Sequence, residues 1–262
     1  MEFVQSHPII FSLITSFAIN TFFFVFAAAF KTDKVTDISY SLSFFLLTLL
    51  LLLTSGAPFS YHKLLVAAAI LIWSTRLGSY LLYRIIKIRK DDRFDDKRGN
   101  FVSFLKFWVL QATTVWIVML PFSVYITSKT DGGVLFFTLI GIALFSIGLL
   151  IESISDIQKF RYKSKPENTA HWVDTGLWKY SRHPNYFGEM LVWWGLFIVV
   201  IPSLSGLDWL TVLGPLFITL LLLFVSGIPL LEKSADRKYG NNADYRSYKE
   251  STSILFPRPP RQ

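Results

Sequence analysis

Seven long apolar runs govern what this chain can fold into; they fall at about 8–30, 38–56, 61–83, 101–127, 134–151, 187–202 and 208–230. A helix needs roughly 20 apolar residues to cross the ~30 Å hydrocarbon core of a bilayer, and the sixth run sits near the lower limit. Inside that core every backbone polar group must be satisfied within its own segment, so runs of this length are expected as helices. The expected fold is a single all-α integral membrane domain over 1–262. Composition agrees, with 52% hydrophobic and 17% aromatic residues, 25 of them Phe, above the usual range for a soluble domain. Pro58, Gly132–Gly133, Pro202 and Gly206 fall between the spans, and the final PRPPRQ reads as extended chain.

Charge orients the spans. The net charge of +8 comes from 26 Lys and Arg against 18 Asp and Glu. The segments 31–37, 84–100, 152–186 and 231–262 hold 2, 7, 6 and 7 of the basic residues, 22 of the 26. The opposite-side segments hold Lys63 and Lys129, while Arg76 and Lys106 lie within spans. Cytoplasmic loops carry the excess of Lys and Arg, which predicts an outside N-terminus, an inside C-terminus and an odd number of spans. The basic balance is therefore an orientation signal, and no nucleic-acid partner is expected. MEFVQSHPIIF lacks the basic start of a cleaved signal peptide, so the first run is expected to remain as a span.

Several chemistries are absent. With no cysteine, thiolate nucleophiles and Cys-ligated metals are excluded. The four His are dispersed, so no metal site is expected. Neither GxGxxG after a strand nor GxxxxGK[ST] occurs, and no GxSxG is present. Any nucleotide must be held by helix ends, Arg and Lys.

The polar residues that remain gather on the predicted cytoplasmic side. DTGLWKYSRHPNYFGE, from Asp174 to Glu189, runs straight into the apolar WWGLFIVVI. Ionisable side chains at a membrane boundary are costly to bury and mark a functional-site hypothesis. Pro184 suits the first turn of the sixth span. Asn185 and Glu189 then stand one turn apart with Tyr186 beside them, and Gly188 permits close approach of a neighbouring helix or flat ring. Glu152 and Asp156 share a helix face at the end of the fifth span, followed by Arg161 and Lys163. Asp33 and Asp37 stand at the mouth of the second span, and Arg76, Tyr80 and Arg84 share a face of the third. RIIKIRKDDRFDDKRGN reads either as a solvated loop or as a seat for an anion through Arg84, Asp92, Arg93 and Arg98. The tail adds Glu232, Arg237, Tyr239, Asp244, Tyr245 and Arg246.

ESISDIQKFRYKSKPEN, WVDTGLWKYSRHPNYFGEMLVWWG and GIPLLEKSADRKYGNNADYRSYKESTSILFP, with IWSTRLGSYLLYR, KDDRFDD and Gln111, resemble the steroid 5α-reductase-like membrane family over roughly 31–257. The likeness is to its branch of functionally unassigned multi-pass members. The resemblance implies a seven-span, NADPH-dependent reductase of conjugated carbon–carbon double bonds, with the cofactor bound from the cytoplasm by a half spanning about 134–257. It places cofactor contacts at Asp156, Arg161, Lys163, Arg182, His183, Asn185, Tyr186, Glu189, Tyr245 and Arg246. It also places the group that meets the substrate carbonyl at Asp33 or Asp37, with Asp37 or Tyr80 as the catalytic donor. The chain departs from the steroid enzymes in lacking a Gln-Glu pair there and in having Trp73 at the position of a substrate-contacting Tyr. RHPxYxG with a following helical Glu also resembles the isoprenylcysteine carboxyl methyltransferases, which implies S-adenosylmethionine as the alternative cofactor. A non-catalytic lipid-binding protein is the third reading. The expected partners are a lipid or steroid-like small molecule and membrane lipid, with no obligate protein partner. The expected location is the endoplasmic reticulum or bacterial inner membrane.

Overall fold

The computed structural model describes residues 2–30, 32, 35–88 and 101–260, and all regular structure among them is helical. A short turn, Glu2–Ser6, precedes α1 (Pro8–Ala29), α2 (Thr36–Thr54), α3 (Tyr61–Ile88) and α4 (Phe101–Thr127). α5 (Leu135–Lys163) and α6 (Pro184–Val200) follow. Among the described residues, seven segments are long and apolar enough to cross a membrane, in the order the sequence predicts.

Helix and apolar run do not end together. α5 continues past the run that stops at 151, through ESISDIQKFRYK to Lys163. Hydropathy marks where hydrocarbon ends, whereas good helix formers carry the backbone on into water. The seventh run departs further. Gly206–Val212 is 3-10, α7 (Leu213–Leu220) is α-helical, Leu221–Val225 is π-helical, and α8 (Ile228–Tyr239) begins after a break. Pro229 has no N–H to continue the ladder. The widened turn instead lets the Ser226 amide donate to the Leu221 carbonyl at 2.9 Å. α9 (Ala243–Ser251) ends the helical part, its first turn capped by the Asn242 side chain, which accepts from the amides of Asp244 and Tyr245.

The chain forms two compact units, Met1–Leu139 with Leu196–Gly214, and Ile140–Gly195 with Pro215–Gln262. In the first, α1 packs on α4 and α2 on α3. Its interior carries a polar ladder, as a bundle in hydrocarbon requires of any polar side chain it buries. Gln111 Nε2 donates to Asn20 Oδ1 (2.8 Å) and Ser39 Oγ (2.9 Å), and Asn20 Nδ2 donates to the Ser16 carbonyl (2.8 Å) and Ser43 Oγ (3.1 Å). At one end, Ser60 donates to Asp131 Oδ1 (2.6 Å), His62 Nδ1 meets Asp131 Oδ2 (3.1 Å), and buried Lys63 donates to the Ser128 carbonyl.

In the second unit α5 and α6 cross on glycine. A Cβ on Gly188 would lie 2.6 Å from the Gly148 carbonyl oxygen and 2.7 Å from the Glu152 nitrogen, and one on Gly195 would lie 2.6 Å from the Phe145 nitrogen. This approach brings RHPNYFGE onto the helix that carries Glu152 and Asp156. The two nearest clashing atoms at Gly188 are backbone and the third is the Glu152 Cβ, so no rotamer change can relieve them. Gly188→Ala is expected to lower stability by about 1–3 kcal/mol through overpacking. Thermal unfolding of the purified protein in detergent measures it, and an unchanged transition would show that the crossing is looser than described.

Candidate functional site

The site is built on the water-facing continuation of α5. Glu152, Asp156, Lys159 and Lys163 recur at three- and four-residue spacing and form one stripe. The loop after α5 is fastened to this stripe. Gly176 adopts φ +62°, a left-handed backbone in which only glycine is unstrained, and the Gln158 side chain lies against it. Gln158 Oε1 accepts from the Leu177 amide (2.9 Å). The Trp178 indole donates to the Ser155 carbonyl (2.9 Å) while the Lys159 ammonium sits 4.7 Å from its ring centroid. The DTGLW lead-in is therefore the buttress that sets RHPNYFGE against α5.

The C-terminal tail clamps the other side. The Arg182 amide donates to the Ser253 carbonyl (2.8 Å), Ser181 Oγ to the Leu255 carbonyl (2.7 Å), and the Arg258 amide to the Tyr180 carbonyl (3.1 Å). Tyr248 donates to the Trp178 carbonyl (2.8 Å), and Phe187 packs edge-on to Phe256.

Glu232 of α8 ties these pieces together. Its Oε1 lies 2.8 Å from His183 Nε2, and its Oε2 lies 2.8 Å from Arg182 Nη1 and 3.4 Å from Lys249 Nζ. The Arg182 contact is an ion pair off the N–H direction, since Nη1 has no hydrogen-bond partner by direction, nor does Nε. Lys249 also bridges to Asp236 (2.6 Å), which accepts from the Tyr245 hydroxyl (3.1 Å). His183 is 5% exposed, with its ring stacked on Tyr186 at 5.7 Å. Burial pushes its imidazole below the ordinary value, against the raising effect of Glu232. A carboxylate only accepts, so neutral His183 carries its proton on Nε2, and Nδ1 is left buried without a partner. Burial, with the hydrogen bond and charge of Asp236, raises the Tyr245 phenol; burial likewise raises that of Tyr248.

Arg182, His183, Glu232, Tyr245 and Tyr248 line an open cavity of about 210 Å³. Trp172, Trp178, Tyr239, Tyr245 and Tyr248 supply aromatic walls, and Lys159, Lys163, Arg182 and Lys238 supply cations. Glu232 is the one carboxylate among its lining residues, beside His183. Trp172 lies 5.3 Å from Tyr245 and 6.0 Å from Tyr239, ring to ring. Four cations against one carboxylate, on aromatic walls, suit a flat anionic ligand. Among the described residues no group of three His, Asp or Glu could hold a metal.

A family model described as "protein of unknown function (DUF1295)" matches residues 23–252. The chain belongs to this family. An uncharacterised protein of Schizosaccharomyces pombe is 35% identical over 85 residues, which are 32% of this chain and 23% of the yeast protein. The match thus spans less than a quarter of that relative's length. No solved structure matches.

In this DUF1295 member, Lys163, Arg182, His183 and Tyr245 of the expected set line the cavity. Asn185 Nδ2 contacts Asp156 Oδ1 at 3.4 Å, so that pair meets at the α5–α6 crossing, with Glu189 one turn further along α6. Arg161 and Arg246 are exposed and stand outside the cavity lining, Arg246 donating to the Gly240 carbonyl (2.9 Å). Asp37 and Tyr80 belong to the first unit, where Asp37 is paired with Arg84 at 2.5 Å and the Arg76 guanidinium lies 5.7 Å from the Tyr80 ring centroid. Asp33, Asp92, Arg93, Arg98 and the KDDRFDD segment lie outside the described residues. Lys159, Trp172, Lys238 and Tyr248 join the site without having been singled out in the sequence. Lys159 alone left a signal there, at the three- and four-residue spacing between Asp156 and Lys163.

His183 gives the site a pH dependence of defined sign. Its folded-state pKa lies below the unfolded value of about 6.5, so the folded protein binds fewer protons and stability falls as pH drops through that value. The melting temperature is expected to decline between pH 7.5 and 5.5, and His183→Gln, which keeps a donor for Glu232, should flatten part of the decline. Identical slopes in the two proteins would remove His183 from the account.

Proposed function

We propose that this protein is a membrane-embedded, NADPH-dependent reductase of a conjugated carbon–carbon double bond in a steroid-like or other lipid substrate. The observation that carries the reading is the cavity's charge: Lys159, Lys163, Arg182 and Lys238 against Glu232 on walls of Trp and Tyr. NADPH is a polyanion with two flat rings. S-adenosylmethionine carries a sulfonium and is net positive, so the same surface repels it. The resemblance to the steroid 5α-reductase-like family supports the reading from the sequence side, and DUF1295 membership is compatible with it.

Bound there, the cofactor would supply a hydride to the β-carbon of an enone. The protein's part is to hold, orient and exclude water. Lys163 and Arg182 bear on phosphates and Tyr245 and Trp172 on a ring face, while Asn185 and Glu189, outside the cavity lining, are assigned to an amide by the resemblance alone. Hydride addition builds negative charge on the carbonyl oxygen, which needs a hydrogen-bond donor. Paired with Arg84, Asp37 offers an acceptor rather than a donor. The α-carbon then takes a proton, leaving the saturated ketone and the oxidised cofactor. On the charge-based orientation the cavity opens to the cytoplasm.

Ligand-induced thermal shift in detergent separates the readings. NADPH at about 100 times its Kd should stabilise the protein by about 2.7 kcal/mol, while S-adenosylmethionine should leave the transition unmoved. Stabilisation by S-adenosylmethionine alone would make the protein a methyltransferase candidate, and stabilisation by neither would favour the lipid-binding class. Asn185→Ala and Glu189→Ala are each expected to reduce the NADPH shift with the ligand-free transition kept. An intact shift would take them out of the site.

A further inference from the structure

Two lysines of the cavity are engaged in a way that their charge does not require. Lys163 Nζ donates to the His171 carbonyl and to the Tyr239 hydroxyl (2.8 Å), and Lys238 Nζ donates to the Thr169 carbonyl (3.1 Å). Their ammonium groups stand 5.2 and 5.3 Å from the centroid of the Tyr239 ring, that of Lys163 at its hydroxyl end. Neither is bonded to a carboxylate among the described residues. Carbonyl and phenol oxygens satisfy an N–H, yet they leave the positive charge uncompensated. The one carboxylate lining the cavity, Glu232, is already taken by Arg182, His183 and Lys249.

The same contacts make the segment 169–172 a roof at the cavity's edge, which enters the lining through Trp172. Lys238 holds it at Thr169, Lys163 and Tyr239 hold it at His171 (the Tyr239 hydroxyl at 3.2 Å), and Trp172 packs its ring against Tyr239 and Tyr245. The roof is therefore fixed by the very cations that an anion entering the cavity would recruit.

We propose that Lys163 and Lys238 form a subsite for a phosphate monoester, and that the Thr169 and His171 carbonyls occupy these lysines until it arrives. The proposal rests on the nucleotide reading above and deepens it. A monoester carries close to two negative charges at neutral pH, which matches two ammonium groups on neutral acceptors. Each phosphate of a pyrophosphate linkage carries about one, so the pair distinguishes the 2′-phosphate of NADPH from NADH, which lacks it. Trp172, Tyr239 and Tyr245 then offer their faces to the adjoining base. Exchange of carbonyl for phosphate is favourable because a charged acceptor makes the stronger hydrogen bond, and it releases two of the roof's fastenings as the ligand binds.

The test is equilibrium binding of NADPH, NADH and 2′,5′-ADP to the full-length protein and to Lys163→Ala, Lys238→Ala, Lys238→Arg and Tyr239→Phe. Each alanine variant should weaken NADPH and 2′,5′-ADP by at least about tenfold, the scale of one charge-assisted hydrogen bond, while NADH changes by less than about twofold. Lys238→Arg should restore most of the NADPH affinity. Tyr239→Phe, which removes a roof fastening without removing a cation, should leave the NADPH-to-NADH ratio as it is. Retained NADH binding shows that a variant is folded. Hydrogen exchange adds a second readout: amides of 169–173 should change their rate on adding 2′,5′-ADP to the wild-type protein and not on adding adenosine. Equal losses for NADPH and NADH, or no loss, would overturn this subsite and leave the nucleotide reading standing. Failure of both dinucleotides to bind the wild-type protein would overturn the reading and the subsite together.

Discussion

One carboxylate organises the water-facing end of this protein. Glu232 meets Arg182 and His183 from the turn before α6 and Lys249 from α9, so two separate stretches of chain converge on a single side chain of α8. Without it, the buried imidazole of His183 and the Arg182 guanidinium would lose the carboxylate that faces them, and leaving buried charge uncompensated costs far more than an ion pair gains. The carboxylate also fixes a proton on His183 Nε2 and leaves Nδ1 as an acceptor. The structure thus sets one carboxylate against part of the positive charge that lines the cavity.

That arrangement depends on two mechanical features below it. Gly148 and Gly188 let α5 and α6 approach closely enough for Asn185 to reach Asp156, and the Gly176 turn with Gln158 sets Trp178 onto Ser155. The tail then closes the loop through Arg182, Ser181 and Tyr180. Each is a backbone-level constraint, which is why the functional residues can stand on short loops and still be held in place.

Much of this was legible before any coordinates. Apolar run length gave all seven membrane-crossing segments, because the bilayer demands nothing more specific than a sufficient stretch of hydrocarbon. The Asn185 and Asp156 faces followed from helical spacing. What escaped was set by tertiary contact. Trp172 sits in a loop without periodicity and Lys238 in the last turn of α8, and the bonds of Lys163, Lys238 and Tyr239 to the Thr169 and His171 carbonyls bring the two together. The break in the seventh run falls at Gly227 and Pro229, helix-breaking residues that a reading of apolar run length passes over, and a π turn, Leu221–Val225, precedes it. Asp37 illustrates the converse, since its pairing with Arg84 joins residues 47 apart that no spacing rule connects.

The account's central claim is that the basic, aromatic cavity receives a polyanionic nicotinamide nucleotide. Titration of the detergent-purified protein with NADPH, followed by energy transfer from tryptophan to the reduced nicotinamide, tests it most directly. The account predicts saturable quenching of tryptophan emission that an excess of 2′,5′-ADP reverses and S-adenosylhomocysteine does not. Reversal by S-adenosylhomocysteine, or no saturable transfer at all, would contradict it.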